Sequence, residues 1–494
     1  VLFIETESSQ VMPPGDYSLR IETLGEIPVG NSVFSCALRR LFRNLSRNFF
    51  GVAGMLERLF SLKEHRTVVS QEIIAGLTTF AAMAYILEVN PSILATTGMD
   101  KGALITATAV ASGVMTTVMA LATNYPIALA PGMGLNAFFA FTLCGAKGIP
   151  WQAALGLVFY SGLIFLALSV TGLRKKLVEA IPIELKLAIT AGIGFFIAFI
   201  GLKNGGVVVA NPATFVGLGD LSKAAPLLVI AGIIATAVLV TRKIPGAIII
   251  VILVLTVVGL IVPSPDGKGM LTAVPSGIVN LPASLAPTFL KLDLTYFWKN
   301  FLDTLPVVLS ILFVDLFDNM GTLVGVSKRA GLLDANGNLP KIGRAFMADS
   351  AAAMFGSSLG TSTVTSYIES AAGVEAGGRT GLTVIVTALC FILALFFTPL
   401  ILIVPAVATA PALVIIGAFM MQGLAELDLK DFEKAAPAFI TILAMPLAFS
   451  ISEGIAFGLL TYVGLKVGSG KSKEVGPVNY VLALLFILHF LFGR

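Results

Sequence analysis

Apolar runs dominate the chain and constrain it more than any other feature. Fourteen of them lie at about 71–92, 103–123, 128–144, 151–171, 185–203, 224–241, 246–262, 301–324, 343–358, 361–376, 379–397, 399–421, 435–450 and 452–468. Each approaches the roughly 20 residues that a helix needs to cross a bilayer. Lipid offers no water to backbone N–H and C=O groups, so the spanning element is a helix that satisfies its own hydrogen bonds. Charged residues make up only 12% of the chain, against roughly 25% in soluble domains. The expectation is an all-α polytopic membrane protein with the lipid bilayer as its main partner. A last apolar stretch, 478–492, is short, and lies in the interface or packs on the bundle.

The same composition removes several function classes. The net charge of +4 comes from basic residues spread over short loops, which is no footprint for nucleic acid. Cys36, Cys144 and Cys390 are scattered, giving neither a disulfide framework nor metal-ligand spacing. His65 and His489 lie near the ends, so the apolar region holds no histidine metal site and no Ser–His or Cys–His couple. No metal, no cofactor and no enzyme activity are expected. The stretch "GLGD" at 217–220 resembles a motif of intramembrane aspartyl hydrolases. It follows "NPATFV" in an expected external loop, and no second aspartate-bearing span matches it.

Residues 1–54 are polar and irregular apart from a short basic piece, "ALRRLFRNLSRNFF". They read as a non-native extension ahead of a start at Met55, or as a disordered tail, with no function in either case. The remainder divides into a first seven-span repeat, 55–262, an external loop, 263–300, a second repeat, 301–468, and a C-terminal tail, 469–494. Lys and Arg set the orientation. Arg174, Lys175, Lys176, Arg242, Lys243, Lys328, Arg329, Lys341, Arg344, Arg379, Lys430 and Lys434 gather on one side, which places both termini in the cytoplasm. Seven spans per repeat is odd, so the second repeat is inverted. "LAPGMGLNAFFAF" (129–141) and "LGTSTVTSYIESAAG" (359–373) fall at similar places in the two repeats. Interrupted segments at matching positions of inverted repeats point to a transporter's binding site.

The carboxylates narrow that site. Asp315 and Asp318 stand three apart in "FVDLFDNMGTL" (313–323), about 5–6 Å apart at Cβ on a helix. An aspartate at the bilayer centre costs roughly 2.5–3.5 kcal/mol, so the pair calls for a partner, a proton or a wet cavity. The bland alternative ends the span early and leaves Asp318 at the cytoplasmic edge. Glu369 suits the start of a half-helix, where the dipole favours it. Asn136 either lines a site or ties helices together. Glu88 and Asp349 are expected to be structural pairs or rim residues.

Four stretches then carry a resemblance: "AGLTTFAAMAYILEVNPSIL" (75–94), "ALAPGMGLNAFFAF" (128–141), "VDLFDNMGTLVGV" (314–326) and "GTSTVTSYIESAAGVEAGGRTGLT" (360–383). They are similar to the AzgA-like purine permeases, a branch of the nucleobase/ascorbate transporter (nucleobase–cation symporter) group, from about Met55 onward. The resemblance implies fourteen spans in two inverted sevens, divided into core and gate domains. It also implies a short strand followed by a half-helix in spans three and ten. By motif, Asp318 and Glu369 fall on the nucleobase-binding carboxylates, and Asp315 and Asn136 on further polar positions. Thr365, Ser366, Tyr367 and Thr322 complete the expected substrate-binding set. Thr322 stands where uracil-type relatives carry a histidine, so proton coupling would run through Asp315, Asp318 and Glu369. A purine offers N–H donors to ionised carboxylates, which only accept. The expectation is a proton-coupled importer of adenine, hypoxanthine or guanine in the inner or plasma membrane. A homodimer is compatible with such a fold. Xanthine or uracil transport and inorganic-anion transport are the alternatives, the last favoured by any Lys or Arg in the cavity.

Overall fold

The computed structural model describes residues 54–171, 182–264, 269–275, 277–334 and 339–492. The expected extension and the loop cations Arg174, Lys175 and Lys176 therefore lie outside the described residues. From Leu56 onward the chain forms one compact unit.

The apolar runs become helices. The first half holds α1 (Val69–Met83), α2 (Ile86–Ala95), α3 (Lys101–Thr123), β1 (Leu129–Pro131), α4 (Met133–Ala137), α5 (Trp151–Val170), α6 (Ile183–Asn204), a hairpin of β2 (Val208–Asn211) and β3 (Phe215–Leu218), α7 (Ala224–Thr241) and α8 (Ala247–Val258). The second half holds α9 (Phe301–Arg329), α10 (Ile342–Leu359), β4 (Val364–Ser366), α11 (Ser370–Glu375), α12 (Gly381–Ala394), α13 (Ala406–Met420), α14 (Phe432–Leu447), α15 (Ile451–Gly468) and α16 (Pro477–Phe492). Among the described residues, 7 helical stretches are long and apolar enough to cross a membrane, including Val69–Ala95, which joins α1 and α2. The other expected spans are helical but shorter, interrupted or more polar. Thus α10 buries Asp349, Ser350 and Ser357, so its polar groups face protein and its average hydropathy falls.

The helices sort into two groups. In the core, α12 packs on α1 and α3, and α10 packs on α3 and α5, with α9 against α5. In the gate, α13 packs on α6 and α7, while α14 packs on α6 and α15. The packing pairs match: α3 with α12 mirrors α10 with α5, and α6 with α14 mirrors α13 with α7. The centre of the gate is a close crossing of α6 and α13. A Cβ on Gly194 would come within 2.6 Å of the Gly417 carbonyl oxygen, and one on Gly417 within 2.3 Å of the Gly194 oxygen. Small residues of this kind let two backbones approach where no hydrophobic force drives helices together in lipid.

Within the core, against α3, α9 and α10, the regular helix gives way to crossing strands. β1 pairs antiparallel with β4, with Leu129 opposite Ser366, Ala130 opposite Thr365 and Pro131 opposite Val364. Pro131 pushes its neighbour toward the extended form and cannot donate to a ladder. Outside the ladder, Gly132 N–H donates to the Thr363 carbonyl at 2.9 Å and Tyr367 N–H to the Ala128 carbonyl at 3.0 Å. Thr116 completes the set from α3: its hydroxyl donates to the Leu129 carbonyl at 3.0 Å and accepts from the Leu129 N–H at 2.8 Å. Extended backbone at this depth survives because protein groups replace the missing water.

Candidate functional site: paired carboxylates beside the crossing strands

Each strand leads into a short helix, and the second brings charge with it. Glu369 lies immediately before α11, where its backbone is already helical. It is half-buried, and the Tyr85 hydroxyl donates to its Oε1 at 2.5 Å. Asp318, also half-buried, comes from α9 and lies within electrostatic range of Glu369 and Asp349. Three elements distant in sequence thus meet: the α1–α2 junction, the middle of α9 and the start of α11.

A cavity of about 550 Å³ reaches this point. Its walls include Thr78, Lys243, Arg329, Glu369, Glu375 and Gln422. Lys243, Arg329 and Glu375 are exposed and lie at its mouth, whereas Glu369 is its half-buried acidic end. Arg329 pairs with Glu375 at 3.1 Å. Both partners are more than half exposed, so the pair contributes little stability.

The other expected site residues are placed differently. Asn136 is fully buried on α4, and its Oδ1 accepts from Ser362 Oγ, joining the two crossing segments. Tyr367 donates to the Pro131 carbonyl at 2.5 Å. Thr365 donates to Asp349 Oδ1 at 3.0 Å, and Ser366 to Asn319 Oδ1 at 2.8 Å. These side chains brace the strands. Asp315 is buried one turn before Asp318, and Thr322 is buried one turn after it; neither lines the cavity. Among the described residues no group of three His, Cys, Asp or Glu is arranged to hold a metal.

Two polar residues, Tyr85 and Glu72, escaped the sequence reading. Tyr85 sits inside an apolar run, and its one visible signal is a hydroxyl that must find a partner when buried. Glu72, fully buried, accepts from the Arg379, Thr380 and Thr383 N–H groups and from both threonine hydroxyls, so it caps the start of α12. Its signal was weak because a single carboxylate at a span's edge reads as interfacial. Glu88 receives a partner: Lys101 Nζ lies at 2.8 Å and Ser92 donates to the same oxygen.

The hydrolase reading fails on geometry. Phe215–Leu218, which includes part of the "GLGD" stretch, is a hairpin strand, and Asp220 beyond it is half exposed. The Ser222 hydroxyl and N–H donate to Asp220 and hold its carboxyl below the usual range.

The architecture is that of a multi-pass membrane transporter with core and gate groups. The chain belongs to the Permease family (Xan_ur_permease), whose profile matches residues 70–457. It is 47% identical over 451 residues to the guanine/hypoxanthine permease PbuG of Bacillus subtilis (strain 168), covering 88% of this chain and 100% of that one. It is 43% identical over 439 residues to the adenine permease AdeP of Escherichia coli (strain K12), covering 89% and 96%. Among solved structures it is similar to the transmembrane domain of the cyanobacterial bicarbonate transporter BicA, with a TM-score of 0.57 over 76% of this chain and 96% of that one. The identity there is 14%, so that likeness concerns the fold alone. The family and these relatives are permeases and transporters, not enzymes, and the family agrees with the resemblance drawn from the four motifs.

Proposed function

We propose that this chain imports purine nucleobases across the cell membrane by proton symport, with the core group moving against the gate group. The observation that carries the reading is Glu369 at the acidic end of the cavity, with Asp318 behind it within electrostatic range. Carboxylates there accept from the ring and amino N–H groups of a purine. Two like charges close together in a poorly solvated site favour a shared proton, which supplies the coupling ion. Asp315, one turn away, tunes that proton. The names of PbuG and AdeP support the substrate class.

The matched packing pairs support two inverted repeats, 55–262 and 301–468, with the cavity opening to the cytoplasm beside Lys243 and Arg329. Both termini then lie in the cytoplasm, and the protein works as a monomer or as a homodimer.

Those two cations in the cavity wall support a second reading, inorganic-anion transport. It is the weaker one, because Arg329 is paired with Glu375 and the buried end is acidic.

The test is uptake of labelled adenine, hypoxanthine, guanine, xanthine and uracil in cells lacking their own nucleobase permeases, with and without a protonophore. Saturable purine uptake that collapses with the protonophore is expected. Uptake of no base, with the protein verified in the membrane and sulfate or bicarbonate taken up instead, would replace this reading with the anion one.

A further inference from the structure

One ring gathers contacts from both groups of helices. Phe449 stands in the turn between α14 and α15 with a φ of +51°, a backbone conformation that a bulky residue rarely adopts. Its ring lies edge-on to Phe196 and Phe199 of α6, at centroid distances of 5.3 and 6.1 Å, with the Lys203 ammonium 4.9 Å from its centroid. Those contacts stay within the gate. Two others cross to the core. Phe141 meets the ring edge-on at 6.0 Å, and the buried Thr142 hydroxyl donates to the Phe449 carbonyl at 3.0 Å. Both belong to the π-helix Phe138–Ala146, which follows α4 and packs on α5 in the core. Such helices are rare and gather at functional sites.

The place of this cluster is fixed by the run of the gate helices. α6 and α13 are antiparallel, with Gly194 against Gly417 and Gly201 against Ala410. Lys203 therefore lies beside the start of α13, whereas Phe419 and Gln422, at and just beyond its end, wall the cavity. Likewise Lys243 at the mouth follows the end of α7, while Val229 in its first half meets Gly205. Phe449 and the mouth of the cavity thus sit at opposite ends of the gate. We infer that Phe449 is a latch: it joins gate to core on the face opposite the mouth, and its release opens the site to that face. This rests on the movement of core against gate proposed above and names a contact that the movement must break. The Phe196, Phe199 and Lys203 contacts seat the ring on the gate and travel with it. The Phe141 and Thr142 contacts end when the core leaves. A strained residue persists where its surroundings over-determine it, and these contacts do so for Phe449.

The reporter for the test is Ile193, buried on α6 where a Cβ on Gly134 of α4 would come within 2.6 Å of its Cγ2. It is shielded while core and gate are joined. Ile193→Cys, in a chain whose three cysteines are replaced by serine, is treated with a membrane-impermeant maleimide from each face of the membrane in turn. Labelling from the face opposite the mouth should quicken about tenfold in Phe449→Gly, on the scale of a lost aromatic pair and hydrogen bond. Glycine adopts that φ without strain, so the turn survives the substitution. Thr142→Val, nearly isosteric, should quicken labelling about threefold. Phe449→Tyr keeps the ring and should stay within about twofold of the unlatched control's parent. Lys203→Met removes a contact inside the gate and should also stay within about twofold of that parent. Unchanged labelling in both Phe449→Gly and Thr142→Val overturns the latch. So does labelling that quickens equally from both faces, or equally in Lys203→Met, since a general loosening of the packing predicts that. The labelling needs no substrate: a chain that takes up no purine removes the purine reading and leaves the latch standing.

Discussion

The two crossing segments are alike in backbone and unlike in chemistry. Each is a three-residue strand that leads into a helix: β1 into α4, which continues as a π-helix to Ala146, and β4 into the short α11. In the first segment every residue from Leu129 to Ala140 is buried, and its one polar side chain, Asn136, bonds across to Ser362. In the second, Glu369 and the exposed Ile368 face the cavity. One arm is a brace and the other presents charge. A site for a polar ligand in lipid needs both, because a carboxylate works as an acceptor only if its surroundings hold it in place.

The largest expected effect breaks the charged arm. Glu369→Gln and Asp318→Asn should each reduce purine uptake more than about a hundredfold, the scale of losing one or two charge-assisted hydrogen bonds. Membrane-fraction immunoblots should show normal amounts of both variants. Substantial uptake by Glu369→Gln would mean that the second arm is also only a brace.

Breaking the brace should look different. Asn136→Ala leaves the buried Ser362 hydroxyl without its acceptor, at a cost of about 1–3 kcal/mol. The expected result is a lower melting temperature for the purified protein and a reduced Vmax for every base, with substrate preference preserved. A changed preference at unchanged stability would move Asn136 from scaffold to site.

Asp315→Asn sharpens the comparison between carboxylates on one helix. Asp315 is buried and off the cavity wall, whereas Asp318 is half-buried. Uptake by this variant should fall less than that by Asp318→Asn and depend less steeply on external pH between about 5 and 8, the range set by a group tuning a shared proton. Uptake measured across that range checks it, and an unaltered profile removes Asp315 from coupling.

At the mouth of the cavity the effects shrink. Arg329→Gln breaks an exposed ion pair and should change uptake less than about threefold and stability by under about 1 kcal/mol. Deleting residues 1–54 should leave purine uptake unchanged, and a clear loss in the same assay would give that segment a role.

Much of this was legible in the chain because it is local. Hydropathy over about 20 residues marks a span whatever packs beside it, so each apolar run is found as a helix or as a strand leading into one. Asp318 and Glu369 were legible for a related reason: charge in an apolar run is costly and stands out. Thr365, Ser366 and Tyr367 were legible as unusual residues but not as braces, and for Asn136 the brace was one of two open readings, since a hydroxyl or amide reads the same whether it meets a ligand or a neighbouring strand.

Tyr85 and Glu72 show the other limit. Their types and spacing carry almost no signal, and their roles exist only through partners far along the chain, Glu369 and the 379–383 turn. Sequence alone determined the solvent, the helices and the positions of costly charge, because those follow from the transfer free energy of contiguous residues. Tertiary structure decided that β1 pairs with β4, that a phenol from α1–α2 meets a carboxylate before α11, and which polar groups brace and which face the cavity. Hydrogen bonds are short and directional, so only the three-dimensional arrangement determines which groups meet.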